Sequence, residues 1–307
     1  MDLKQLQYFV QVAELGGFTR AASVLRVAQP ALSRQVRSLE VELRQRLFDR
    51  NGRGVTLTAA GTRLLAHGRG ILQQVERARL DLEDQRGAAS GLLSIGLPPS
   101  VSRTLTAPLV EAFRERFPRA TLSVVEGLST YTLEWLTQGR IDCAVVYNAT
   151  PAAAIDLMPV LQEPLFLVSA RTPRSSAALR GPAVTLAQLA TKELVIPSRP
   201  HAIRMRLETV MAEARCKPLV GLEIESVPAM LDLVQRHALH AVLSLNAVRA
   251  SGREQAFVVQ PIGVSPRKFL STSLWLATSA LRPRGPLLDQ AAQVLLELLQ
   301  KTLDPRA

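Results

Sequence analysis

The apolar positions near the N-terminus predict three short helices joined by tight turns. The first spans about 3–13, with Asp2 and Gln5 spaced to form a capping box at its start. Its predicted buried residues are Leu3, Leu6, Phe9, Val10 and Ala13. The second helix is the run 18–25, with Thr19 as its expected N-cap, and only three residues separate it from the next helix. This spacing is typical of a helix-turn-helix.

The third helix begins at about Pro30, whose fixed φ and missing N–H suit the first helical turn. Its apolar stripe is Leu32, Val36, Leu39 and Leu43, and its opposite face carries Gln29, Ser33, Arg34 and Arg37. In the major groove, arginine pairs with guanine and glutamine with adenine, so this polar face is predicted to read DNA. Without its neighbours the same face would be an ordinary solvated surface.

A hairpin signal follows the third helix. Strand-like runs at 47–48 and 55–57 flank Asn51-Gly52, a dipeptide that favours φ > 0 and hence a tight hairpin turn. Arg50 and Arg53 stand on either side of this turn. A basic hairpin tip beside a reading helix is a wing, which can reach backbone phosphates or an adjacent minor groove.

A long helix is predicted next, from 59 to about 86, with Thr58 as its cap and a small-residue hinge at 87–91. Its apolar seam alternates spacings of four and three residues: Leu64, Gly68, Ile71, Val75, Ala78 and Leu82. Such a seam favours pairing with a second subunit, and packing against the chain's own second domain is the alternative. The candidate dimerisation residues are Leu64, Ile71, Val75 and Leu82.

From residue 92 onward, strand and helix signals alternate, which predicts α/β units around a largely parallel sheet. A comparable set of signals recurs in the second half, so two subdomains are expected, joined by crossing strands near 161–166 and 269–273. The predicted domains are a winged helix-turn-helix (1–58), a linker helix (59–86), a hinge (87–91) and a regulatory domain (92–307), with subdomain I at 92–162 and 269–307 and subdomain II at 163–268. The fold class is therefore multi-domain α+β.

Several of these segments resemble the LysR-type transcriptional regulators. The resemblance rests on 21–22, 29–35, 39–40, 47–48 and 54–61 in the head and on 139–147 further along. It implies that Gln29, Pro30, Ser33 and Arg34 contact base edges or nearby backbone, and that Arg53 is the wing contact. It also implies a linker helix that pairs subunits, commonly within tetramers, and a C-terminal domain like the type 2 periplasmic binding proteins. The partners expected are double-stranded promoter DNA, further copies of the chain and RNA polymerase.

Hydroxyl and imidazole groups stand where predicted strands lead into helices. Open α/β sheets bind ligands at such places, beside helix N-termini that attract anions. Each group alone is more simply a helix cap, but the resemblance implies that these loops meet at one cleft. The expected pocket for a small anionic effector comprises Ser100, Ser102, Arg103, Ser129, Thr130, Asn148, His201, Arg204 and Ser226, with Arg103 or Arg204 as the charge partner.

Charge and composition support an intracellular DNA-binding role. The chain has a net charge of +11, and between Arg20 and Arg69 ten arginines face only Glu40, Glu42 and Asp49. Two cysteines in 307 residues do not form a disulfide framework. The sequence shows no secretion signal and no apolar run of the roughly 18 residues that span a bilayer, so a cytoplasmic protein without a membrane segment is expected. No catalytic motif, cofactor or metal site is predicted.

Three alternatives remain open. An α/β enzyme and a solute-binding protein belong to other classes, and both lack the sequence signals they need. Within the family, segments 94–98 and 145–148 look most like regulators of the nitrogen-assimilation-control type, in which protein level or oligomeric state can replace a small ligand.

The run 237–244 departs from the family's glycine-rich turn, because His237 and Leu239 fill two flexible positions. The pair His237 and His240 has no convincing third metal ligand.

Overall fold

The computed structural model describes residues 1–51, 54–83, 91–171, 180–282 and 284–303. The chain divides into two compact units, one made of 1–91 with 137–140 and the other of 92–136 with 141–307. The elements of the first unit are α1 (Leu3–Leu15), α2 (Phe18–Leu25), α3 (Gln29–Leu43), β1 (Phe48–Asn51), β2 (Gly54–Leu57) and α4 (Ala59–Glu83).

The helix starts in the first unit follow local sequence, with two corrections. Asp2 and Gln5 form the predicted capping box at the start of α1. Thr19 was the wrong N-cap for α2: Gly17 occupies that position and Phe18 begins the helix, because its side chain is buried in the core. Leu3, expected in the core, is 46% exposed and is the first residue of α1.

The core of the first unit lies beneath α3. Leu32, Val36 and Leu39 are fully buried there, as their spacing predicts. The Phe48 ring packs against Phe9 and Phe18, with ring centroids 5.3 and 5.8 Å apart. These contacts join the hairpin to the helices and fix its position relative to α3.

The hairpin and α4 are held to this core by close backbone approaches. Asn51 is the last residue of β1 and pairs with Gly54, so the joining residues are 52–53, which lie outside the described residues. The Thr58 hydroxyl accepts a hydrogen bond from Gly61 N at 3.0 Å, which confirms the predicted cap of α4. A Cβ on Gly61 would lie 2.1 Å from Leu47 O, so only glycine allows α4 to pass this close to the hairpin.

The second unit is an α/β domain built on one large mixed sheet. Its elements are β3 (Gly91–Leu97), α5 (Pro99–Arg116), β4 (Ala120–Glu126), α6 (Ser129–Thr137), β5 (Cys143–Tyr147), β6 (Ile155–Ala170), β7 (Val184–Thr185), α7 (Leu186–Leu189), β8 (Glu193–Ile196), α8 (Ala202–Glu213), β9 (Leu219–Glu223), α9 (Val227–His237), β10 (His240–Ser244), α10 (Leu245–Arg249), a short 3-10 helix (Glu254–Ala256), β11 (Phe257–Ser265), β12 (Lys268–Phe269), β13 (Ser271–Ser279) and α11 (Pro286–Leu303). The main strand order is β4-β3-β5-β13-β6-β10-β8-β9, and β11 also pairs with β6.

The long strand β6 joins the two halves of this unit: one half contains strands β3, β4, β5 and β13, and the other contains strands β7 to β12. Its residues 155–164 pair with β13, and its residues 165–170 pair with β10 and β11. The predicted crossing near 161–166 is therefore confirmed. Strands β3 and β5 run parallel in one half, and β8 runs parallel to β9 and β10 in the other. The carboxyl ends of these parallel strands are where ligand sites form in such sheets.

Three local expectations are corrected in this unit. The sequence of 98–102 predicts a loop, but Pro98 is the N-cap of α5 and Pro99 already lies in its first turn. The apolar pattern predicts that α6 begins at Leu133, but the helix begins at Ser129. In the run after α9, the left-handed backbone falls on Ala238 (φ 52°), not on His237 or Leu239, and Leu239 is buried in the core.

Candidate functional site

The start of α3 presents polar side chains on the surface of the first unit. Gln29, Pro30, Arg34 and Arg37 are exposed, and Ser33 is half-buried. Within the described part of the chain, neither Arg34 nor Arg37 forms an ion pair. Their guanidinium groups are therefore available to a partner, on a helix that Leu32, Val36 and Leu39 hold rigidly from below.

A second basic surface lies where α3 leads into the hairpin. A hollow of about 560 Å3 there is lined by Arg37, Glu40, Val41, Arg44, Gln45, Arg46, Phe48 and Asp49. Glu40 Oε1 accepts hydrogen bonds from Leu47 N at 2.8 Å and from Phe48 N at 3.2 Å. This carboxylate therefore fixes the hairpin to α3, a role that its position in the sequence did not indicate. Three arginines remain along the hollow, as a phosphate-binding surface requires.

The other predicted contacts of the first unit fall into two groups. Arg53 and the side chains of Arg50 and Leu82 lie outside the described residues.

On α4, Leu64 packs against the core of the first unit, and a Cβ on Gly68 would lie 3.1 Å from the Leu6 side chain. The first half of the seam therefore packs within the chain. Ile71, at 39% exposed, and the half-buried Val75 lie beyond it.

The cleft of the second unit is formed where its strands end. One hollow, of about 400 Å3, is lined by Pro99, Ser100, Arg103, Glu126, Glu225, Ser226, Val227, Pro228, Leu231, Ala247, Ala250 and Ser251. A narrower space of about 100 Å3 adds Ser129, Tyr147, His201 and Ser244. A third, of about 480 Å3, is lined by Thr130, Asn148, Arg206 and neighbouring residues. Seven of the nine predicted pocket residues therefore line these spaces.

Ser102 and Arg204 do not line them. Ser102 lies about 200° around α5 from Ser100 and is buried, where its hydroxyl meets Thr106 Oγ1 at 3.0 Å. Arg204 is buried and pairs with Glu208 and, at 3.4 Å, with Glu223. Burial alone would raise the pKa of Glu208, but hydrogen bonds from Arg204 and from Arg199 lower it. These ion pairs hold the Arg204 guanidinium within the protein, although its buried Nη1 has no hydrogen-bond partner among the described residues.

A buried hydrogen-bond network lies beneath the narrow space. The Tyr147 hydroxyl donates to Glu163 Oε2 at 2.9 Å, and Ser100 Oγ lies 3.4 Å from the same hydroxyl. Asn246 Nδ2 donates to Glu163 Oε1 at 2.8 Å. Burial raises the pKa of Glu163, and burial together with the Glu163 charge raises the pKa of Tyr147. The sequence did not indicate Glu163, because it lies inside a strand with no recognisable motif.

Two further side chains hold the walls of the cleft. Asn148 accepts a hydrogen bond from Ser273 N at 3.0 Å and donates to Ala202 O at 3.5 Å, so it joins β13 to the start of α8. His201 Nδ1 accepts from Ile203 N at 3.2 Å and caps α8. Burial lowers the pKa of His201, and the nearby Glu225 opposes this effect. A neutral imidazole is the form that can accept this hydrogen bond.

Other classes of site find little support in the described residues. No group of three or more His, Cys, Asp or Glu side chains there is arranged to hold a metal ion. No helix in those ranges is both long and apolar enough to cross a membrane. The two cysteines, Cys143 and Cys216, are not joined in a disulfide.

Comparison with known proteins identifies both units. Residues 3–62 match the family model described as bacterial regulatory helix-turn-helix protein, lysR family, and residues 86–304 match the LysR substrate binding domain. The nitrogen assimilation regulatory protein nac of Escherichia coli (strain K12) is 34% identical over 99% of this chain and 95% of its own length. The nac protein of Klebsiella aerogenes is 33% identical over 98% and 96%.

Solved structures agree over the full length. CbnR complexed with its target DNA is 25% identical, with a TM-score of 0.70 over 97% of this chain and 100% of that one. A full-length OxyR from Pseudomonas aeruginosa is 22% identical, with a TM-score of 0.71 over 98% and 95%, and shows the same fold. With a helix-turn-helix that exposes unpaired arginines and a substrate-binding domain that matches along its length, this chain belongs to the LysR family of DNA-binding transcriptional regulators.

Proposed function

We propose that this regulator binds promoter DNA as a homo-oligomer and changes transcription when a small metabolite with an anionic group occupies the cleft of the second unit. The observation that carries the ligand half of this proposal is the cleft itself. Arg103 and the N-termini of α5 and α9 face one hollow of about 400 Å3, a volume typical of small-molecule sites.

The DNA half of the proposal assigns a role to each surface of the first unit. Gln29, Pro30, Ser33 and Arg34 contact base edges or nearby backbone, and Arg37 contacts phosphate together with the arginines of the hairpin. Two heads related by a two-fold axis read a dyad-symmetric site, with half-sites about 34 Å or a multiple of it apart. Pairing through α4 beyond Gly68 produces the dimer, two dimers form a tetramer, and contact with RNA polymerase in the cytoplasm completes the response.

The signal reaches the DNA through the joint between the two halves of the second unit. Asn148 holds α8 to β13, and Glu163 on β6 holds Tyr147 of one half to Asn246 of the other. The narrow space beside Ser129 and Tyr147 adjoins the hollow of about 400 Å3, since Ser100 and Glu225 line both, and a ligand that extends from the hollow into it competes for these hydrogen bonds. Ligand binding therefore shifts the equilibrium towards a different angle between the halves. The size of this shift is set by the difference in ligand affinity between the two arrangements.

Genome-wide mapping of bound sites tests the proposal, followed by transcription in vitro from a mapped promoter. We expect bound sites with dyad symmetry, and a promoter whose output changes when a low-molecular-weight cell extract is added. The Ser129→Val variant should keep its DNA sites and lose the response to the extract. DNA binding without any response from the parent protein would overturn the ligand half and leave the DNA half intact.

That outcome would favour a second candidate, a regulator controlled by its abundance or oligomeric state. One observation supports this alternative. Polar groups in the narrow part of the cleft are already bonded to one another, since Ser129 Oγ accepts from Tyr147 N at 2.9 Å and Ser100 faces the Tyr147 hydroxyl. In that case transcription should follow protein concentration along a mass-action curve.

A further inference from the structure

The hollow beside α5 and α9 presents charges of both signs to the same space. Arg103 lies on α5, Glu126 ends β4, and Glu225 precedes α9. In the described ranges, neither Arg103 nor Glu126 has an ion-pair partner, and Glu225 accepts a hydrogen bond from the Ser198 hydroxyl at 2.7 Å. Three charges therefore line the hollow without neutralising one another through direct contacts.

The two helix N-termini add positive character at one side. The α5 helix begins at Pro99 and the α9 helix begins at Val227, capped by Ser226. Prolines and caps use up most of the first-turn N–H groups, but within the described residues the N–H groups of Ser100 and Val227 have no partner, and they favour a carboxylate beside Arg103. The carboxylates of Glu126 and Glu225 favour a cationic group elsewhere in the same ligand.

Apart from Ser100, Ser226 and Ser251, the rest of the lining is apolar. Leu231 and Ala247 are buried, and Val227, Pro228 and Ala250 complete the wall. A simple anion would leave the two carboxylates facing it, and a simple amine would leave Arg103 unmatched. Arg103, Glu126 and Glu225 are exposed, so a ligand of one sign gains only part of the charge contacts that the hollow offers, whereas a ligand that carries both signs gains all of them.

We infer that the effector is a zwitterion of the α-amino-acid class with a compact apolar side chain. Its carboxylate lies by Arg103 and the helix starts, its ammonium by Glu126 and Glu225, and its side chain against Leu231 and Val227. This inference rests on the proposed function, and it sharpens that function by naming the chemical class of the metabolite.

Calorimetry and thermal melting of the full-length protein test this class with matched probes. The panel comprises the standard L-amino acids and, for each apolar member, the N-acetyl derivative, the amide and the acid without the amine. We expect an apolar amino acid to raise the melting temperature and to bind at least about tenfold more tightly than its three derivatives, because each derivative loses one charge-assisted contact.

Variants of the hollow locate the site. Glu126→Gln, Glu225→Gln and Arg103→Gln should each weaken amino-acid binding about tenfold or more, while operator affinity without ligand stays unchanged. Glu213→Gln and Arg119→Gln, at exposed positions outside the hollow, are the matched controls and should bind like the parent.

The outcomes separate this inference from the proposed function. If only acids that lack an amine bind, and Arg103→Gln abolishes that binding, the cleft is an effector site and the zwitterion inference is wrong. If no amino acid binds, or if the three variants bind like the parent, the inference is also overturned. The proposed function is then decided separately by the response of transcription to the cell extract.

Discussion

The proposed DNA-reading surface and the proposed ligand cleft both expose charged side chains, but they combine them in different ways. In the hollow beside α3, three arginines outnumber Asp49, and Glu40 on the same helix accepts hydrogen bonds from the hairpin backbone. In the cleft, Arg103 shares one hollow with Glu126 and Glu225. A surface with one dominant sign suits a polyanion of any sequence, whereas mixed charges at fixed positions suit a small ligand of defined shape.

The two surfaces also rest on different supports. Beneath α3 lie apolar side chains such as Leu32 and Val36, which are fully buried. Beneath the cleft lies a buried carboxyl group, that of Glu163, with Tyr147 and Asn246 as partners. The reading surface is therefore rigid through packing, while the cleft depends on hydrogen bonds whose strength changes with protonation.

The largest effect is expected from the support of the reading helix. Leu32→Ala should lower the free energy of unfolding of the first unit by about 2 to 5 kcal/mol, since it leaves a cavity under α3. Val41→Ala, on the same helix but 70% exposed, is the control. Urea unfolding followed by circular dichroism measures both. Equal stability of the two variants would show that α3 is not held by its apolar stripe.

A smaller effect is expected from charge at the reading surface. Arg37→Ala should weaken binding to operator and random DNA alike, and should reduce the slope of log K against log salt concentration by about one. Arg103→Gln removes the same charge from the cleft and should leave this slope unchanged. Fluorescence anisotropy across a salt series gives both slopes. If Arg37→Ala and the parent show the same slope, Arg37 does not contact a phosphate.

The smallest effect concerns pH and the support of the cleft. Because burial raises the pKa of Glu163, the folded protein holds this proton more tightly than the unfolded chain. Its contribution to stability is therefore greatest below the unfolded pKa of about 4.3 and falls as pH rises towards the folded pKa. In Glu163→Gln this loss is absent, so the variant should gain stability relative to the parent as pH rises. Glu213→Gln, at an exposed position, should show no such trend.

That trend is measured by unfolding the three proteins at a series of pH values from weakly acidic to neutral. A constant difference between Glu163→Gln and the parent would mean that Glu163 has the same pKa in both states. The hydrogen bonds to Tyr147 and Asn246 would then join the two halves of the domain without making that joint sensitive to pH.

Regular spacing made much of the fold predictable from sequence. The stripe from Leu32 to Leu39 and the cap at Thr58 appear as expected, because each depends on residues a few positions apart. Helix starts were harder to place. A hydroxyl such as that of Thr19 or Ser129 looks the same in sequence whether it caps a helix or lies in its first turn.

The candidate cleft could be predicted only in part. Ser100 and Ser102 looked equivalent, but helix geometry turns one to the cleft and the other to the interior. Arg103 and Arg204 were equivalent candidates for the charge partner in the sequence. In the structure, Glu208 and Glu223 form ion pairs with Arg204. Glu126 was not among the predicted pocket residues, although it ends β4 and ligands bind at the carboxyl ends of strands in open α/β sheets. Helix geometry decided the first case, and in the second the ion pair of Arg204 with Glu223 joins two separate elements of the fold.

The contrast between the two surfaces depends most on base reading by α3. Affinity of the parent, Arg34→Ala and Arg37→Ala should be measured for a mapped operator, for operators changed one base pair at a time, and for random DNA. We expect Arg34→Ala to lose about 1 to 3 kcal/mol on the operator and to become indifferent to one base pair, while its binding to random DNA falls far less. Arg37→Ala should keep the parent's preference at every base pair. An Arg34→Ala protein that keeps the parent's preference at every base pair would contradict the assignment of α3 as the reading helix.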